Sequence, residues 1–163
     1  MMRTHSAPLR LLVPRQGASG DEPLPAPDFA TARYVDRELG DASAGAALCT
    51  ATAARARSEG RSLVAGVLGE FAAEFTEEAA LLVPASLPEV HWPRRTRWQL
   101  EQDADLDDRI RTIADWLQHS ERTLRWIASR PDLPALARVT FDAVATAHHA
   151  RRHLLLACSA IDS

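Results

Sequence analysis

Residues 62–83 read SLVAGVLGEFAAEFTEEAALLV. Leu63, Val64, Val67, Leu68, Phe71, Phe75 and Leu82 recur at the spacing of one face of an α-helix. At about 100° per residue, Glu78 falls in the middle of that apolar stripe, in phase with Phe71 and Leu82. Glu74 lies at its edge, and Glu70 and Glu77 point toward solvent. A carboxylate inside an apolar stripe needs a partner when the stripe is buried. This helix therefore sets two expectations, a packed helical core and a polar point within it.

Reading outward, Pro84 and Pro88 end this helix, and Ser58-Glu59-Gly60 separates it from an earlier one. The earlier helix is expected to start near Asp28, which follows Pro27 and can cap. It runs through Tyr34, Val35 and Leu39 into an alanine-rich stretch ending at Ala56, weakened locally by Gly40 and Gly45. Before it, residues 1–27 hold half of the prolines together with Gly17 and Gly20 and read as a disordered leader. After Val83 comes a longer linker, then a third helix beginning near Asp105. Its face carries Leu106, Ile110, Ile113, Leu117, Leu124 and Ile127, and Asp107 and Asp108 suit its positive end. Arg130-Pro131 ends it. A fourth helix is expected from Leu133-Pro134 to about Ala160, with Leu136, Thr140, Val144, Ala147, Leu154 and Cys158 on its stripe. No strand pattern competes. The pattern predicts an all-α protein, an antiparallel four-helix bundle spanning 28–163, with the longer linker between helices 2 and 3.

Composition agrees. The chain has 163 residues, of which 30 are Ala and only 7 are Gly, and it contains no Lys and no Asn, so all 19 basic residues are Arg. Codon usage in a GC-rich genome accounts for that gap. Without Lys there is no Walker-type phosphate loop and no Schiff-base lysine. The formal net charge of −3 gives no reason to expect nucleic acid or an anionic membrane as partner. No apolar run approaches the roughly 20 residues of a membrane span, and Leu9–Val13 is too short for a secretory signal. A cytoplasmic location is the expectation. Cys49 and Cys158 then read as small buried hydrophobes rather than a bridge.

Three short motifs resemble bacterial ferritin-like four-helix-bundle proteins, in particular a branch of uncharacterised function. Leu39, Asp41 and Gly45 match its Leu-x-Asp-x-x-x-Gly, although Ala46 stands where an aromatic is usual. His91, Trp92, Arg94 and Trp98 are similar to its linker. Leu133-Pro134 followed by Val144 and His148 resembles the start and Val-x-x-x-His of its last helix. The likeness covers about residues 28–160.

A ferritin-like carboxylate centre needs inward Glu residues and Glu-x-x-His pairs, which place carboxylate and imidazole on one face. The chain contains no Glu-x-x-His, and on the first helix the corresponding region is Ser43 and Ala44. Glu78, Glu121 and His148 remain as candidate ligands for iron or manganese, with His119, His149 and His153 pointing away. Arg151 falls near the centre of the fourth helix's stripe, one turn from His148. A guanidinium repels a cation and instead pairs with a buried carboxylate. The reading is a buried polar centre of Glu78, Glu121, Arg151 and His148, with Arg151 paired to Glu78 or Glu121 and no metal. The alternatives are a metal site on Glu78, Glu121 and His148, or plain surface placement.

Other signals are weaker. Asp103, Asp105 and Asp107 begin like a calcium loop, but Asp108 stands where Gly is required and Ala114 where Glu is. His91, Trp92, Arg94 and Trp98 mix cations and aromatics; the expectation is a packed linker, with an interaction surface as alternative. No Ser/His/Asp or Cys/His set has local support, so no catalytic residue is assigned. The functional expectation is a non-catalytic bundle serving as a binding or assembly module, through a homodimer or another protein partner. The alternative is a metal-binding ferritin-like protein.

Overall fold

The computed structural model describes residues 29–82 and 104–162. They form four helices: α1 (Phe29–Ser58), α2 (Ser62–Leu82), α3 (Leu106–Ala128) and α4 (Ala135–Ile161). Among the described residues there is no strand, and no helix is long and apolar enough to cross a membrane. The proposed leader, and the linker residues His91, Trp92, Arg94 and Trp98, lie outside the described residues.

The α1–α2 connection is tight because Gly60 takes φ +80°, the left-handed conformation that side chains disfavour. Arg61 N–H reaches back to Ala56 C=O at 2.9 Å and Gly60 N–H to Arg57 C=O at 3.2 Å. These bonds satisfy carbonyls that the end of α1 would otherwise leave unpaired. At α3, the Asp105 side chain caps the helix by accepting from Asp108 N–H at 2.8 Å. At α4, the extended ψ of 143° at Pro134 delays the helix to Ala135.

α1 packs on α2 and α3 on α4, with further contacts between α2 and α4 and between α1 and α3. One end of the molecule is laced by polar contacts. Arg61 donates to Ser159 C=O and Oγ at 3.0 and 2.8 Å and pairs with Asp107. Asp162 accepts from Val64 N–H at 2.9 Å, satisfying a free donor in the first turn of α2. Arg55 donates to Ala104 C=O at 2.6 Å.

The apolar core has two parts. The larger, containing Leu48, Val64, Leu68, Phe71, Phe75, Ile110, Ile113, Trp116 and Leu117, draws on all four helices through Leu155. The smaller holds Leu124, Ile127, Leu133, Phe141, Val144 and Ala145. Glu38, Glu78, Ser120 and His148 are buried as polar points of the same interior.

The stripe expected on α4 is corrected. Of the expected stripe Val144 is buried, Thr140, Ala147 and Cys158 are half-buried, and Leu136 and Leu154 are exposed, while Phe141, Ala145, His148 and Leu155 join Val144 inside. This is a rotation of roughly a quarter turn. Turning Phe141 and His148 inward buries two rings, whereas the expected face carries none. Leu63 of α2 is likewise exposed rather than packed, while its neighbours Val64 and Ala65 are buried.

Candidate functional site: a buried carboxylate, imidazole and guanidinium

Glu78 on α2 meets His148 and Arg151 of α4. His148 Nε2 lies 2.8 and 3.0 Å from the two Glu78 oxygens. Arg151 Nη1 donates to Glu78 Oε2 at 2.6 Å, and its Nε donates to Glu74 Oε2 at 2.7 Å. The spacing of three between His148 and Arg151 puts both groups on one side of α4, where they close on a single carboxylate. An ionised carboxylate only accepts hydrogen bonds, so His148 Nε2 carries the proton here. His148 Nδ1 has no hydrogen-bond partner among the described residues.

The surround is aromatic. Phe75 meets Trp116 and His148 edge-on, at centroid distances of 5.0 and 5.8 Å, and Trp116 lies 5.1 Å from His148. Arg151 sits over the Phe75 ring at 4.9 Å. That adds a cation–π contact to two charge-assisted hydrogen bonds. Glu78 and His148 are fully buried, whereas Glu74 is about half exposed, so Arg151 runs from the interior to the surface.

Burial pushes the Glu78 carboxyl up, but the facing His148 and Arg151 outweigh it and hold the group below its ordinary value of 4.5. Burial pushes the Cys49 thiol up to about 12, only partly opposed by the Arg151 charge. Cys49 is therefore a buried thiol with no nucleophilic character near neutral pH.

Glu121 is not part of this cluster, which corrects the expected four-residue centre. Its carboxylate accepts from His149 Nδ1 at 3.1 Å and from Arg125 Nε at 3.2 Å. Arg125 also donates to Asp142 at 3.2 Å. Burial pushes the Glu121 carboxyl up, but the bonds and charges of His149 and Arg125 together outweigh it and hold the group below the usual range. The residue that α3 turns inward is Ser120, one position earlier, whose hydroxyl donates to the buried Glu38 carboxylate of α1.

Glu38 and Asp41 were not expected as interior groups. Both are buried on α1, in the helical phase that also buries Leu48, Cys49, Thr52 and Ala56. That phase was the available signal, and the choice of Ser43 and Ala44 as the corresponding region missed it.

The described residues are not arranged as a carboxylate-bridged metal centre. Glu78 already receives His148 and a guanidinium, and the alternative set of Glu78, Glu121 and His148 is not assembled. Among the described residues, no three His, Cys, Asp or Glu side chains are grouped to hold an ion. What the cluster does is cross-link α2 to α4 through a desolvated charge pair. No protein-family model, curated protein or solved structure matches the chain.

Proposed function

We propose that this chain is a non-catalytic, antiparallel, ferritin-like four-helix bundle that serves as a binding or assembly module, with an ion-paired centre where a metal centre would otherwise lie. The observation that carries this reading is the Arg151 guanidinium on the buried Glu78 carboxylate, beside His148. A fixed cation in that shell neutralises the carboxylate and repels a second cation. The antiparallel order is supported by the tight Gly60 turn and by contacts that gather the end of α1, the starts of α2 and α3 and the end of α4. The module reading is supported by a centre whose buried charge is spent on holding helices together.

The test is metal content. Full-length protein purified without chelator is expected to carry iron, manganese and zinc far below one equivalent per chain by plasma mass spectrometry. Stoichiometric metal overturns the ion-paired reading.

A further inference from the structure

The outward face of α4 is apolar along its whole length. Leu136, Val139, Ala143, Ala147, Ala150, Leu154, Ala157 and Ile161 fall within about 80° of one another on the helix. None is charged. Leu136, Val139, Leu154 and Ile161 are 56, 64, 46 and 72% exposed. A surface helix ordinarily places its charges on this face. Here α4 buries one side against α2 and α3 and leaves a second apolar side without a partner among the described residues, the kind of patch that marks an interaction surface.

The order of side chains along the face is symmetric. A two-fold axis placed between His148 and His149 pairs Ala147 of one copy with Ala150 of the other, Ala143 with Leu154, and Leu136 with Ile161. Small residues meet at the centre, where two helices approach most closely, and large residues meet at both ends. This is the self-complementarity that an isologous contact requires. The same axis leaves exposed Asp142 of each copy two residues out of register with exposed His153 of the other, on the same edge of the pair, giving a polar rim of opposite character. With 27 residues, α4 is about 40 Å long. Its outward half, about 15 Å across, presents about 600 Å², of which the roughly 80° apolar face is a little under half and the polar rim the rest; together they approach the roughly 800 Å² per partner of a stable interface.

We infer that two copies of this chain pair through α4 in antiparallel register, centred on Ala147 and Ala150. The inference rests on the assembly-module reading and names its partner as a second copy. A patterned, charge-free face with this symmetry fits its own copy better than an unrelated partner, which would need neither the small centre nor the matched ends.

The test is sedimentation of the full chain over a concentration series. The expected species has twice the 17.9 kDa chain mass. Ala150→Glu places a carboxylate at the two-fold centre, on an exposed position outside the monomer core, and is expected to raise the dimer Kd by about 100-fold or more. Adding A147R to A150E supplies the opposite charge across the axis and restores the dimer. Register is read separately in a Cys158→Ser background: mixed L136C and I161C chains cross-link to one another, whereas L136C alone does not. A wild-type chain that stays monomeric, a dimer indifferent to A150E, or self-linking of L136C each overturns the α4 pairing. Metal content then stands apart: a metal-free monomer removes this interface only, and a metal-loaded dimer removes the ion-paired centre only.

Discussion

Consecutive histidines on α4 each meet a glutamate and an arginine, and the two trios behave differently. Glu78, His148 and Arg151 form the inner one, with side chains 5, 0 and 11% exposed. Glu121, His149 and Arg125 form the outer one, at 17, 55 and 47%. The chemical groups are the same, but the inner bonds are shorter, 2.6–3.0 Å against 3.1–3.2 Å, and solvent reaches only the outer trio freely. In the outer trio water competes for every bond and screens the charges, so the contacts order a surface without fixing it. In the inner trio Glu78 depends on its two donors, because a buried carboxylate without them is uncompensated, while Arg151 keeps a second, half-exposed partner in Glu74. A single step of about 100° along α4 separates a structural element from surface decoration.

The largest expected effect is at Glu78. Glu78→Ala leaves the His148 donor facing an apolar gap and Arg151 with only the half-exposed Glu74, and should cost about 3–5 kcal/mol in urea unfolding. If that variant does not fold, Glu78→Gln keeps an acceptor for Arg151 while removing the charge. It should cost less, about 1.5–3 kcal/mol. A loss below about 1 kcal/mol for both would make the inner trio no different from the outer one.

Acid sharpens the same contrast. The folded Glu78 carboxyl titrates below its ordinary 4.5. Its stabilising contribution is complete above the unfolded value and is lost as pH falls through the lower folded value. Wild type should therefore hold this contribution from neutral pH down to about 4.5 and lose it below. Glu78→Gln should lack that part of the acid-limb slope. Equal slopes for the two proteins below pH 4.5, measured as urea midpoints, would remove Glu78 from the account.

What the sequence revealed follows from contrast between neighbours. Ile110, Ile113 and Leu117 stand among Asp and Arg, so the inner face of α3 is unambiguous. Glu78 is visible for the opposite reason, a lone carboxylate between Phe71 and Leu82. α4 offers no such contrast. Alanine stands both on its inner side, at Ala145, and on its outer one, at Ala143, Ala147 and Ala150, so the stripe through Leu136 and Leu154 lies about a quarter turn away. The real rotation is decided by bulk, Phe141 and His148, and by the bond to Glu78 across the bundle. Glu121 was misplaced by one residue, since Ser120 is the inward position and a short hydroxyl carries no hydrophobic signal. On α1, alanine again hides the periodicity, and no contrast with neighbours marks Glu38 and Asp41 as inward.

The smallest effect belongs to the outer trio and is as diagnostic as the largest. Glu121→Ala removes bonds from His149 and Arg125, both of which can turn to water, and Arg125 keeps Asp142 at 3.2 Å. The expected loss is about 0.5 kcal/mol, and it should shrink in 1 M salt, where screening acts within about 3 Å. The inner pair, out of contact with solvent ions, should show no such dependence for Glu78→Gln. Urea midpoints of the two variants at low and high salt would therefore separate the trios by sensitivity as well as by size. A Glu121 loss that is large and salt-independent would mean that α3 and α4 bury this carboxylate more deeply than its 17% exposure describes, and the contrast between the two trios would fail from the outside inward.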